Sequence, residues 1–342
     1  MYQQFYGLRE LPFELTPNPK YLFMARQHRE ALSTLIYGLS SAKGVTALIG
    51  EAGTGKTTLL HAALQSEECR HVTCVYLVNP TLTRAEFVEL LSVQFKLSAH
   101  AARSKAALLT ELDVVLRERR ARGQLTALLV DEAQSLSGEI LEEIRLLANT
   151  ETSTEKLLSL VLAGQPELRD RLNENELRQL KQRVTLRCEI LPFSLQDTAA
   201  YIAARIRTAG GEAAKVFTRE AVTLIHERSG GIPRTISVMC DNALLTGFGL
   251  GRQPVDYGMV LEVARDFDLQ AKPQALAEAV PETYPERMDA QSDEDGLASA
   301  ASGSPVEPRS HSEGEALDVP PAREVSFNSS RTRPRFSLFG NR

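Results

Sequence analysis

The sequence has no tryptophan, only 6% aromatic residues and four cysteines in 342 residues. Cys69, Cys74, Cys188 and Cys240 form no Cys-x-x-Cys pair and have no histidine cluster beside them. A zinc site or a redox motif is therefore unsupported, and four reduced, partly buried thiols are expected. No apolar run approaches the roughly 20 residues that a membrane span needs. The opening Met1, Tyr2, Gln3, Gln4, Phe5 lacks the basic and then apolar order of a signal peptide. We therefore expect no membrane span and a cytoplasmic location, at most peripheral at the inner membrane through a partner. An excess of positive charge is missing too. The net charge is -5, which argues against a surface built wholly to bind polyphosphate but leaves room for a local basic stripe.

What is present is an ordinary globular balance, 43% hydrophobic and 24% charged residues. At roughly 150 residues per domain the length allows about two domains. Composition changes after Asp268. Eight of the sixteen prolines lie beyond Lys272, and between Lys272 and Ser330 twelve acids face four bases without an apolar period. Such a segment cannot bury enough surface to offset the entropy of ordering, so residues 270–342 are expected to form a disordered Pro/Ser/acid-rich tail. Its extreme end interleaves cations with aromatics, Arg331, Arg333, Arg335, Phe336 and Phe339. That pattern suits either a docking peptide or a solvated end.

Ahead of the tail, apolar strand-like runs alternate with amphipathic helical ones, the pattern of a parallel sheet flanked by helices. The expected strands are 45–49, 72–78, 126–130, 157–163 and 184–190. The expected helices are 28–41, 56–66, 84–95, 105–122 and 138–149. After Pro192 the pattern is all helical, over 195–209, 218–229, 233–247 and 256–268, with Thr218 and Pro233 as helix starts. The expected organisation is an N-terminal linker segment over 1–26, an α/β domain over 27–192 and a small all-helical domain over 193–269.

Gly50-Glu51-Ala52-Gly53-Thr54-Gly55-Lys56-Thr57 follows an apolar strand and opens a helix, and Thr58 comes next. This is the G-x-x-x-x-G-K-[ST] phosphate loop in the context its mechanism demands. The glycines let backbone N–H groups turn toward phosphates, Lys56 supplies a cation between the β and γ groups, and the Thr57 hydroxyl suits Mg2+. Leu128-Leu129-Val130 then runs into Asp131-Glu132. Two acids at the end of a buried strand are costly unless they meet a cation or donors. Asp131 would hold Mg2+ through its water shell and Glu132 would polarise an attacking water; two acids capping the next helix is the alternative. Ala163-Gly164-Gln165 ends another strand. Gln165 could reach the γ-phosphate or the water, although on these residues alone an amide capping the helix at Pro166 is the stronger reading. Arg178, Arg183 and Arg187 surround the last strand and Arg234 opens a later helix, where most arginines are simply solvated. Arg117, Arg119, Arg120 and Arg122 cluster at one helix end. They offer a nucleic-acid patch, or merely the cations that a helix C-terminus favours.

Together these residues resemble the AAA+ ATPases, and more narrowly their ExeA/GspA type, with a layout nearer its soluble MshM-like members. The resemblance runs from Phe5 to about Asp268. It rests on Phe5-Tyr6-Gly7-Leu8, Pro12-Phe13, Thr16-Pro17-Asn18-Pro19, His28 with Glu30-Ala31-Leu32, the phosphate loop, Val130-Asp131-Glu132-Ala133-Gln134, Ala163-Gly164-Gln165-Pro166-Glu167-Leu168, Gln179-Leu180-Lys181-Gln182-Arg183-Val184 and Gly230-Gly231-Ile232-Pro233-Arg234. It implies a P-loop AAA+ (ASCE) fold, a five-stranded parallel sheet flanked by helices with an all-helical lid, and an enzyme that hydrolyses ATP with Mg2+. It implies Gln165 as sensor 1, Arg183 as an arginine finger offered to a neighbouring subunit, and Arg234 as sensor 2 of the lid. The segment from Pro17 to Phe23 would line the adenine side. Expected partners are further copies in a ring or filament and a protein client in an envelope secretion, pilus or exopolysaccharide assembly system. The membrane span and peptidoglycan-binding module that follow the ATPase in full-length ExeA/GspA proteins have no counterpart in this sequence. A DNA-dependent ATPase of the transposition-helper or initiator type is the alternative, disfavoured by the acidic balance.

Overall fold

The computed structural model describes residues 1–16, 19–77 and 82–269. The expected disordered tail, its basic-aromatic end, Pro17 and the last residue of the second expected strand all lie outside these residues. Five parallel strands form one sheet in the order β2-β3-β4-β1-β5. They are β1 (Val45–Gly50), β2 (Val72–Leu77), β3 (Leu125–Val130), β4 (Leu158–Gly164) and β5 (Val184–Ile190). Every residue of the three central strands is buried, whereas the edge strands β2 and β5 are only partly so. This is why the central strands read as near-continuous apolar runs, interrupted by the buried Thr46, Thr126 and Ser159: helices cover both of their faces.

Those helices are α1 (Arg26–Ser40), α2 (Lys56–Leu64), α3 (Arg84–Phe95), α4 (Lys105–Ala121), α5 (Gly138–Leu147), α6 (Pro166–Leu172) and α7 (Arg178–Lys181). Their starts are local chemistry. Thr83 and Glu86 close a reciprocal capping box before α3, and Ser104 and Ser137 accept from N3 amides before α4 and α5. One buried cluster joins α3, α4 and α5 to the sheet through Phe87, Leu112, Leu128, Val130 and Ile144. Another packs α1 and α2 on the opposite side through Leu35, Leu39, Leu60, Leu129 and Val161.

Beyond Pro192 the chain is helical, with α8 (Leu195–Thr208), α9 (Ala213–Val216), α10 (Arg219–Ser229), α11 (Pro233–Gly249) and α12 (Tyr257–Asp266). Thr218 caps α10 and Pro233 occupies the first turn of α11. The four-residue α7 and α9 escape the periodicity analysis because one turn carries no period.

The first 26 residues are more than a linker. Tyr2, Tyr6, Leu8 and Phe13 are buried in one cluster with Ile206, Ile225, Met239 and Leu244 of the C-terminal helices. The Tyr2 hydroxyl binds Asp241, and the Tyr6 hydroxyl donates to the Leu244 carbonyl at 3.2 Å. The chain therefore packs its own beginning onto α11 before entering α1. Among the described residues no helix is long and apolar enough to cross a membrane. Of the four free cysteines, three are buried and Cys74 is half-buried; burial pushes the Cys74 thiol up to about 12 and that of Cys188 to about 11.

Phe13 is 1% exposed. Phe13→Ala should lower unfolding stability by about 3–5 kcal/mol, the usual cost of emptying an aromatic core site. Urea denaturation checks this, and a loss below about 1 kcal/mol, small beside that core cost, would place the segment outside the folded core.

Candidate functional site

The sheet order brings three strand ends together. Gly50 ends β1, Asp131 follows β3 and Gln165 follows β4, and in register Ile49 lies opposite Gly164 while Val130 lies opposite Leu162. A cleft of about 410 Å³ opens above them, within the usual range for small-molecule sites, and the phosphate loop, Glu132 and Arg234 line it.

The phosphate loop turns through left-handed backbone at Gly53 (φ 82°) and Gly55 (φ 99°). A side chain is strained there, which is why both positions are glycine. Lys56 opens α2, is 5% exposed, and donates to the carbonyls of Gly50 (2.8 Å) and Glu51 (3.1 Å). Burial pushes its ammonium below the ordinary lysine range against the pull of Glu132 and Asp131. An anion in the loop would relieve that burial penalty. Thr57 Oγ1 donates to Asp131 Oδ2 at 2.7 Å, and the Tyr76 hydroxyl donates to the same oxygen at 3.0 Å. Burial and the neighbouring Asp131 carboxylate raise the Tyr76 phenol well above its ordinary range, so it stays a donor. A hydroxyl and a carboxylate oxygen side by side are the hard donors that Mg2+ takes alongside water and phosphate oxygens. The residues present thus fit the ion.

Neither acid caps a helix. Asp131 Oδ1 accepts the Glu132 amide at 3.0 Å, and α5 is capped by Ser137 instead. Glu132 sits in left-handed backbone (φ 52°, ψ 37°), a conformation that costs a non-glycine residue about 1–3 kcal/mol and is found where surrounding contacts impose it. Gln134 Nε2 donates to Glu132 Oε2 at 2.7 Å and Gln165 Nε2 donates to the same oxygen at 3.2 Å. Gln165 makes no side-chain cap to α6, so the helix-capping reading of that amide fails.

Arg234 lies against the phosphate loop. Its backbone N–H donates to the Gly53 carbonyl at 3.3 Å, and a Cβ on Gly53 would stand 2.8 Å from Arg234 Cβ. Arg183 lies elsewhere. It precedes β5, whose Val184 pairs with Val45 and whose Ile190 pairs with Gly50. Arg183 is therefore a strand length from its own loop, ~20 Å at ~3.3 Å per residue. The cluster at the end of α4 is largely neutralised. Arg117 pairs with Asp113, Arg120 with Glu155 and Arg122 with Glu118, while Arg119 lies over the Phe95 ring.

Four features escaped the sequence reading. Tyr76 binds Asp131, and Gln134 binds Glu132. His28, 4% exposed, donates Nε2–H to the Thr54 carbonyl at 3.1 Å, because a carbonyl can only accept. Burial lowers the His28 pKa and keeps the ring neutral. Arg205, on α8, is caged by the rings of Phe13, Tyr21 and Tyr201 and donates to Ser237 Oγ at 3.0 Å, with no carboxylate partner among the described residues. His28 and Gln134 stand inside motifs quoted for the resemblance, though neither contact is read from them. Tyr76 and Arg205 sit on faces whose partners come from distant sequence.

The AAA domain family matches residues 39–172. This chain carries an AAA domain on the AAA+ fold. General secretion pathway protein A of Aeromonas hydrophila is 42% identical over 258 residues, 75% of this chain and 47% of its own length. The chain therefore spans about half the length of that relative. Among solved structures, Drosophila ORC bound to DNA superposes with a TM-score of 0.56 at 19% identity, covering 76% of this chain and 65% of that one. Aeropyrum pernix ORC2 in its ADPNP-ADP complexes gives 0.53 at 16% identity, covering 75% and 71%. At those identities the likeness is one of fold.

Gly53→Ala in this AAA domain combines a left-handed backbone with the Arg234 contact. It should weaken nucleotide binding at least about tenfold, or roughly 1.4 kcal/mol. Fluorescent ATP-analogue titration measures this, and unchanged affinity would show that the contact between α11 and the loop is dispensable.

Proposed function

We propose that this chain is an ATP hydrolase, with its catalytic α/β unit over 27–192 and a lid over 193–269. The convergence of Lys56, Thr57, Asp131 and Glu132 at one cleft carries the reading. The loop from Gly50 through Glu51, Ala52, Gly53, Thr54 and Gly55 to Thr58 would receive the phosphates on its N–H groups and the start of α2. Lys56 would exchange its two carbonyl partners for phosphate oxygens. Thr57 and Asp131 would hold Mg2+, which when bound neutralises charge on the β and γ groups.

Glu132 would accept the proton of the attacking water as the new P–O bond forms and the bond to the β-phosphate bridging oxygen breaks, releasing ADP. Negative charge then spreads over the γ-phosphoryl oxygens. Gln165, just after β4, and Arg234, on α11, would meet it. Arg183 cannot serve its own cleft from the far end of β5, which supports a finger offered to a neighbour. Hydrolysis would then require assembly in a ring or filament. Fingers of this kind are worth roughly 10³–10⁵ in rate.

The relative's name supports a biological role in envelope secretion or a related pilus or exopolysaccharide assembly system, with a protein client and peripheral residence at the inner membrane. The alternative of a DNA-dependent ATPase draws no support from the α4 end, where acids neutralise three of the four arginines.

Glu132→Gln should bind ATP with near-parental affinity but hydrolyse it at least about a hundredfold more slowly, the scale of general base catalysis. Phosphate-release kinetics decide this, and parental turnover would remove Glu132 from the chemistry. Arg183→Ala should bind ATP without turning it over, and mixing it with Lys56→Ala should partly restore activity. Absence of recovery at every mixing ratio would count against a finger in trans. Turnover should also rise with protein concentration and ignore duplex DNA; stimulation by DNA that salt abolishes would favour the alternative.

A further inference from the structure

The acid at the tip of β3 is not merely near the cleft. It is held by one of its two oxygens. Gln134 Nε2 and Gln165 Nε2 both donate to Glu132 Oε2, at 2.7 and 3.2 Å, and among the described residues no hydrogen bond is made to Oε1. A carboxylate bound in this one-sided way has a fixed rotation and keeps one oxygen for another donor.

The two amides differ in how firmly they are themselves held. Gln134 is engaged at both ends, because its Oε1 accepts the backbone N–H of Gln165 at 3.0 Å while its Nε2 reaches Glu132. That pairing also decides which way the amide faces, since only the nitrogen can donate to a carboxylate and only the oxygen can accept from an N–H. Arg171 on α6 donates to the backbone carbonyls of Gln134 (2.7 Å) and Leu136 and pins the loop that carries it. The space is reserved as well. A Cβ on Gly164 would come within 2.8 Å of Gln134 Oε1, so the glycine before Gln165 makes room for this side chain. Among the described residues Gln165 has one side-chain bond, to Glu132, so it can turn to a phosphate by giving up that bond.

We propose that Gln134 is a positioning residue for hydrolysis: it clamps Glu132 Oε2, ties the tips of β3 and β4 together, and leaves Oε1 as the oxygen that takes the proton from water. The assignment rests on Glu132 acting as the base. Under it, loss of the Gln134 amide lets the carboxylate rotate and exchange its oxygens, which slows chemistry while the phosphate and Mg2+ contacts of the loop stay intact.

The test uses the full chain with Gln134→Met, close in size but unable to make either bond, alongside Gln134→Ala. Steady-state ATP turnover should show kcat down about tenfold or more in both variants, with KM within about threefold and thermal midpoints near the parent, the signature of a transition-state effect. Adding Gln134→Met to Glu132→Gln should cost nothing further, because the group it orients is already gone. Parental kcat in either variant overturns the proposal, as does a raised KM at unchanged kcat or a full additional loss in the double variant. Failure of the base assignment itself would appear separately, as normal hydrolysis by Glu132→Gln alone.

Discussion

Everything at the cleft depends on β4 lying between β1 and β3. Parallel pairing in that order brings the ends of three strands level, so that Gly50, Asp131 and Gln165 meet although more than 100 residues separate the first from the last. Covering both faces with helices buries every side chain of the three strands, and the helices in turn supply the long connections that parallel pairing requires. Polar chemistry is confined to the tips. There the chain leaves the sheet, and backbone N–H groups and carboxylates are released from the ladder.

The tips are cross-linked by hydrogen bonds that do not belong to the sheet. Thr57 ties the loop to Asp131, Asp131 holds the Glu132 amide, and Gln134 and Gln165 close the path to β4. Such a path explains how a glutamate persists in left-handed backbone: the contacts around it outweigh a local preference of a few kcal/mol. Under the proposed hydrolysis such an arrangement would be preorganised for a developing charge, which is where electrostatic catalysis has its largest effect.

The parts of this site that follow local rules could be read directly from the residues. The strand, the glycine loop and the helix start at Lys56 are contiguous, and the acids after Leu128-Leu129-Val130 stand where an apolar run stops. The central strands were legible because full burial leaves no polar alternation. Gln165 was ambiguous because a strand-end amide can cap the next helix as well as reach across the sheet, and only the pairing of β3 with β4 decides between them. Gln134, Tyr76 and Arg205 were not legible as site residues at all. Tyr76 and Arg205 act on groups brought close by topology, and no local spacing signals such a meeting; Gln134 is two residues from Glu132, but the contact that fixes its amide comes from the Gln165 N–H beyond β4. The N-terminal aromatics were misjudged for the same reason: Tyr2, Tyr6 and Phe13 find their apolar partners more than 180 residues later.

That early segment gives the C-terminal helices a second attachment to the cleft. The loop-facing end of α11 meets the phosphate loop through the Arg234 N–H, and one turn further on Ser237 receives Arg205. Arg205 in turn sits among Phe13 and Tyr21 of the segment that leads into α1. Its cationic guanidinium, compensated only by neutral acceptors and ring faces, is stable there because several rings and hydroxyls surround it at once. If α11 rotated over bound phosphates, as the proposed lid would, this cage would change with it and the segment packed against α11 would move or be strained. The phosphate loop, α11 and the chain's first residues are thus joined through packed side chains and one helix, with Arg234 at one end and Tyr2 at the other, the kind of contiguous network that a proposed lid movement would act on.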